Sequence, residues 1–214
     1  MKKLMMIAAM MVAVLSANAQ NEVGQVTLKP TVGMNLATMT KVDNSKMRVG
    51  LTAGVEAEYG VAENFGVTAG LFYSMQGVKS KEGVIPFNIL GISGEVKGTQ
   101  TMKLDYINIP ILAQYYIVKG LAVKAGIQPG FCVSKKLKTE GTVSTAGGSE
   151  KISSDDKITD GVNGFQFAIP VGLSYEYESF VLDARYNIGV TKALKDSDPR
   201  HSVFQITLGY KFAL

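Results

Sequence analysis

The sequence predicts an all-β fold: an eight-stranded antiparallel transmembrane β-barrel with short periplasmic turns and long extracellular loops. Three observations predict it. The chain opens on an export leader, eight later segments alternate apolar and polar residues with a period of two, and the connections between them alternate short and long.

The leader is read first because it is removed before folding. Lys2 and Lys3 form a basic start, Leu4 to Leu15 is an apolar run, and Ala17-Asn18-Ala19 has the A-x-A form of a cleavage site. That run is too short for a membrane-spanning helix, which needs about 20 residues. No Cys follows the site, so lipoprotein processing is excluded. The expected division is 1–19 signal peptide and 20–214 barrel domain. Losing Lys2 and Lys3 lowers the formal net charge from +4 to +2.

Alternation is clearest at the C-terminus. Phe204, Ile206, Leu208, Tyr210, Phe212 and Leu214 interleave with Gln205, Thr207, Gly209, Lys211 and Ala213, which is a strand with one apolar and one polar face. Segments 180–191, 165–177, 121–134 and 104–117 repeat the pattern, and 65–77, 48–60 and 26–38 carry it more weakly. No helix of useful length is visible.

The turns at Val61–Asn64, Val118–Gly120 and Glu178–Ser179 are short. Thr40–Met47, Val78–Lys103, Lys135–Gly161 and Lys192–Arg200 are long and polar. This asymmetry belongs to outer-membrane barrels and predicts a cell outer membrane location with both termini periplasmic. Tyr59, Phe65, Tyr115, Tyr116, Tyr175, Tyr177, Phe180, Tyr210 and Phe212 cluster at the short-turn side, as an interfacial aromatic girdle requires. Within the long connections, 140–154 reads as a mobile loop. The apolar stretch Val84 to Ile92 reads as a hairpin extending the barrel, in preference to a contact patch.

The polar faces must then point inward. They carry Lys29, Lys124, Arg185 and Lys211 with Glu56, Glu58, Glu176 and Asp183, four of each sign, and buried charges persist only when paired. Inward glycines leave room for these long side chains. Eight strands enclose only enough space for side chains, so an open channel is not expected. A soluble lipocalin-type barrel would reverse the two faces. Pro30, Pro110, Pro129 and Pro170 fall inside the proposed strands, and each removes a ladder hydrogen bond that lipid cannot replace. A bulge or a place near a rim would accommodate them.

Composition narrows the chemistry. One Cys excludes a disulfide framework or a Cys-based metal site, and no cofactor or metal is expected. Interspersed acids and bases give no nucleic-acid signature. His201, the only His, stands near Asp196 and Asp198 in a polar loop, a conceivable rim base that reads more simply as a solvated strand start. Cys132 reads as a small interior residue. Asp155, Asp156 and Asp160 lack EF-hand spacing. No enzymatic activity is expected.

The run Leu104-Asp105-Tyr106-Ile107-Asn108-Ile109-Pro110-Ile111-Leu112 resembles the "DYIEIPLL" strand of PorT-like small outer-membrane barrels of Bacteroidetes-type bacteria. Val32 to Asn35 is similar to their opening "GLN" strand, Asp183 to Gly189 to "RYxxGL", and Leu208 to Phe212 to the closing "LGYRF". Asn108 stands where Glu is frequent, and Leu214 where Phe is commoner. The resemblance implies a fold and a location rather than a shared activity. It also implies that Leu208, Tyr210, Phe212 and Leu214 form a C-terminal insertion signal. The expected partners are outer-membrane lipid, the barrel-assembly machinery with periplasmic chaperones, and an unidentified envelope protein. The expected role is structural or interactive. The alternatives are an accessory part of a secretion or envelope machine, and a ligand- or adhesion-type binder working through its loops.

Overall fold

The structure is a computed structural model that describes residues 23–42, 44–89, 92–145, 148–158, 161–194 and 198–214, with backbone alone at 87–89, 92–94 and 145. The leader, Asp160 and Asp196 lie outside the described residues. The strands are β1 (Val26–Met39), β2 (Ser45–Lys46), β3 (Arg48–Ala62), β4 (Phe65–Ser80), β5 (Gly83–Ile89), β6 (Ile92–Asn108), β7 (Ile111–Val118), β8 (Leu121–Thr145), β9 (Gly148–Lys157), β10 (Phe165–Tyr177), β11 (Phe180–Lys192), β12 (Arg200–Tyr210) and β13 (Phe212–Ala213).

Eight antiparallel spans close a ring in the order β1, β3, β4, β6 with β7, β8, β10, β11 and β12, which returns to β1. Closure runs from Thr31 opposite Gly209 to Met39 opposite His201, and β13 extends it with Thr27 opposite Ala213. No sheet edge is left within the barrel, as hydrocarbon requires. The alternation sorts the side chains as the period of two demands. On β12, His201, Val203, Gln205 and Thr207 are buried, while Phe204, Ile206 and Leu208 face outward and are exposed.

The fourth span is not the single strand 104–117. Pro110 has no N–H to give, so β6 ends at Asn108 and β7 begins at Ile111. The ring stays closed because carbonyls still accept. Gly70 N donates to Pro110 O at 2.9 Å, and Ile109 N donates to Pro129 O at 2.9 Å. Between β8 and β10, paired positions stop at Gln128–Ala168 and resume at Ala125–Val171, which leaves Pro170 inside an interruption. Pro30 stays within its ladder, opposite Val55. All four prolines therefore lie within the wall rather than at a rim.

The long connections are more ordered than loops. Most of 78–103 and 135–161 is strand. β5 pairs with β6 from Gly83–Gly98 to Ile89–Ile92, forming the expected hairpin. The segment 140–154 is not a loose loop: β8 continues to Thr145, and β9 pairs back along it from Gly148 to Lys157. With β6 against β8 from Gly94–Thr145 downward, four strands in the order β5, β6, β8, β9 form a sheet that rises from the barrel wall.

A bulge sits where this sheet leaves the barrel. Asp105 opposes Ser134 but Tyr106 opposes Cys132, so Val133 is the extra residue. The extra residue flips the parity of β8. Below it Lys124 and Gln128 point inward; above it Lys135 does, its Nζ bonding Val162 O at 2.8 Å.

Candidate functional site: the packed barrel interior

All eight ionisable residues assigned to the interior are found there, and they divide into two clusters. In mid-barrel Glu56 of β3 accepts from three cations: Lys29 of β1 at 2.7 Å, Lys124 of β8 at 3.3 Å, and Arg185 of β11. Lys124 also reaches Asp183 at 2.9 Å, and the Arg185 Nε donates to Asp183 at 2.6 Å. β3, β8 and β11 are not neighbours in the ring, so these bonds cross the lumen. The Arg185 guanidinium lies over the Phe72 ring at 5.8 Å.

The second cluster lies nearer the short turns. Lys211 bonds Glu58 at 3.2 Å and Glu176 at 2.9 Å, while Gln114 and the Tyr116 hydroxyl donate to Glu58 at 2.9 and 2.8 Å. Tyr116 was expected in the outer girdle; it faces inward because it shares the parity of Gln114. The girdle itself is carried by the exposed Tyr59, Tyr115, Tyr175, Tyr177 and Phe180. The balance of four against four is therefore not local. The mid-barrel cluster has three cations and two anions, and the lower one has one cation and two anions.

Glycines supply the space for this network. A Cβ at Gly209 would meet Lys29 Cγ at 2.8 Å, and one at Gly172 would meet the Arg185 Cγ at 3.0 Å. Above the charges lies a layer of amides in which Gln166 donates to Asn108 at 2.9 Å and Asn35 donates to Ser74 at 2.9 Å. Over it sits an apolar cap of Met39, Val78, Leu104, Tyr106, Val162 and Ala193, with Cys132 packed against it.

His201 belongs to this upper interior and not to a solvated loop. It is buried, and its Nε2 meets the Tyr106 hydroxyl at 3.0 Å. Asp198 is instead held by Lys192 at 2.6 Å. The supposed rim base is therefore not assembled, since each side chain bonds another partner. Asp155 is engaged by Lys103 at 3.0 Å, and no group of metal-ligating residues occurs among the described residues.

The C-terminal residues complete the wall. Leu208 faces lipid, and the Tyr210 ring packs edge-on against Phe180 with centroids 5.3 Å apart. Phe212 stands opposite Leu28, and Leu214 N donates to Val26 O at 3.0 Å.

Among solved structures, the chain is similar to Ail, the attachment invasion locus protein of Yersinia pestis, at 15% identity and TM-score 0.45, over 89% of this chain and 100% of that one. It is similar to Neisserial surface protein A at 10% identity and TM-score 0.40, over 87% and 97%. The outer membrane protein OprG from Pseudomonas aeruginosa gives 12% identity and TM-score 0.36, over 90% and 97%. No curated protein matches the sequence. The profile of the outer membrane protein beta-barrel domain matches residues 18–195, most of the chain. With a closed ring of antiparallel strands, an apolar outer belt and a charged interior, the chain belongs to the outer membrane protein beta-barrel domain family and resides in the outer membrane.

Proposed function

We propose that this protein is a closed outer-membrane anchor that displays a β-sheet outside the membrane, with an interactive rather than a conducting or catalytic role. The observation that carries the reading is Glu56, bonded across the lumen by Lys124 and Arg185. A water path would have to separate these buried charges, each of which is costly to leave unpaired. In planar bilayers the mature protein should give no large, stable conductance. Porin-sized steps would overturn the closed anchor.

The displayed sheet supports the interactive half. The face continuous with the barrel interior carries Ile85, Val96 and Val143 in directly opposed positions, and Ile85 is 68% exposed. Beside them Gly83, Gly98 and Gly141 lead to Ile152, which is 60% exposed. Among the described residues β5 and β9 are each paired on one side only, which leaves edges able to accept a further strand. Replacing 84–97 and 138–155 by short turns should abolish the binding of an extracellular partner and leave the barrel inserted. The narrower PorT-like reading, a secretion or envelope accessory, rests on the Leu104 to Leu112 run. It would show as crosslinks to other envelope proteins that survive this trimming. A non-catalytic role accords with His201, whose Nε2 engages a tyrosine rather than a nucleophile–acid pair.

A further inference from the structure

The outward face of the same wall holds a field of lysines in two adjacent rows just beyond the apolar belt. On β4 the outward residues Val67, Ala69, Leu71, Tyr73 and Met75 end at Gly77 and Lys79. From Phe65 to Met75, at about 3.3 Å per residue and a tilt of about 40°, this belt is about 25 Å tall, the height of a barrel's apolar band. On β6 Ile107 gives way to Asp105 and Lys103; on β8 Phe131 and Val133 give way to Lys136 and Lys138.

The register lines these lysines up. Lys103 stands opposite Lys136, and Lys136 opposite Lys157. One row higher, Lys46 stands opposite Lys79, Thr101 separates Lys79 from Lys138, and Lys138 faces Asp155. Strands are about 4.8 Å apart, and like charges directly opposed destabilise a sheet.

Two carboxylates answer six ammonium groups. Asp155 takes Lys103, and Glu140 takes Lys138 at 2.5 Å. That ammonium holds the Glu140 carboxyl below the usual carboxylate range. Asp105 is taken by the Tyr73 hydroxyl at 2.9 Å and by Arg48 at 3.9 Å. Lys46, Lys79, Lys136 and Lys157 have no carboxylate within 4.0 Å among the described residues.

We infer that this field is a docking surface for the phosphate-bearing headgroup of an outer-leaflet glycolipid. Two things select that occupant. The field is continuous with the lipid-facing belt, and flexible lysine stems place their ammonium groups in the headgroup layer, a few ångströms beyond the hydrocarbon. A phosphate monoester brings close to two negative charges and three acceptor oxygens, which matches facing lysines that lack acids. Among the described residues the opposite rim carries fewer outward cations: Lys192 stands opposite Arg200, and Lys41 and Lys192 share Asp198. The larger field, with Lys103, Lys136 and Lys157 of three adjacent strands in one row, is the flank that takes anionic headgroups.

The test uses the mature protein folded into phosphatidylcholine nanodiscs doped with either bisphosphorylated lipid A or lipid A stripped of both phosphates. After extraction into mild detergent, retained glycolipid is measured by mass spectrometry. The phosphorylated form should be retained and the stripped form lost. Lys103→Gln, Lys136→Gln and Lys157→Gln together should weaken retention roughly a hundredfold, whereas Lys41→Gln with Lys192→Gln should not change it. Heat-modifiable gel mobility checks that each variant is folded, and the matching triple Lys→Arg variant should retain the lipid. Equal retention of both lipids, or full retention by the folded triple Gln variant, overturns the inference. So does a soluble sulfated polysaccharide or inorganic phosphate that displaces the lipid at equal phosphate or sulfate concentration, which would make the field a site for soluble anions.

Discussion

The lower and upper halves of strands β6 and β8 use one backbone pattern for opposite purposes. Inside the barrel, β6 turns Asn108 inward and Ile107 outward. A few residues on, it turns Leu104 inward and Lys103 outward. The buried side changes from polar to apolar within four residues, and the outer side does the reverse. β4 makes the same change, from Ser74 and Gln76 inside to Val78, and from Tyr73 outside to Lys79. The solvent on the far side of the wall decides which face must be apolar. Where lipid bathes the outside, the charges retreat inward and must pair; where water does, the ordinary soluble arrangement returns.

Several changes test that contrast, beginning with the largest. Deleting Tyr210–Leu214 removes Lys211 from between Glu58 and Glu176 and strips β13 from β1. Strand-edge groups would then face hydrocarbon at several kcal/mol each. The truncated chain should be degraded in the periplasm and be absent from the outer-membrane fraction. Stable, SDS-resistant truncated protein in that fraction would show that closure does not need these residues. Changing His201 to Ala should leave insertion intact.

Next is Arg185→Ala, which strips Glu56 and Asp183 of a shared partner in a site where Arg185 is 2% exposed. The expected loss is about 1.5–3 kcal/mol in denaturant unfolding from detergent, because Lys29 and Lys124 still answer the two carboxylates. An unchanged unfolding curve would mean that water reaches the cluster. Trimming 138–155 to a short turn should by contrast shift the same curve by roughly 1 kcal/mol or less, because a shorter connection closes at little entropic cost. A large loss there would make the outer sheet part of the barrel's folding unit.

The smallest effect belongs to the opposite rim. The hydrogen bond from Lys192 holds the Asp198 carboxyl below its ordinary range. A lowered carboxylate contributes stability above the unfolded value, and this is lost as pH falls through the folded one. Because both partners are exposed, global unfolding should not register it. An NMR titration of the Asp198 side chain should show a midpoint below that of an unpaired Asp, and Lys192→Gln should raise it.

The period of two made the barrel and its interior readable. Parity alone placed Lys29, Glu56, Glu58, Lys124, Glu176, Asp183, Arg185 and Lys211 on one surface, though not which cation met which anion. The same rule, carried from Gln114 to Tyr116 and from Gln205 back to His201, would have put both residues inside. The outer sheet was hidden for two physical reasons. β9 is exposed at every position, so no burial pattern marks it, and its Gly- and Ser-rich neighbours read as loop. The bulge at Val133 also reverses the parity of β8, so the lysines beyond it could not be assigned a side from sequence.

The mid-wall prolines give the cylinder a soft flank. β1 and β3 are paired without a break from Val26–Tyr59 to Ala37–Arg48, whereas β8 meets its neighbours at Pro110, Pro129 and Pro170 in one neighbourhood. Opening the wall there breaks fewer hydrogen bonds than opening it on the far side. Slow breathing of the barrel should therefore be concentrated on this side, with amide deuteration advancing first around Gly126 and Ile169 while the β1–β3 seam is still protonated.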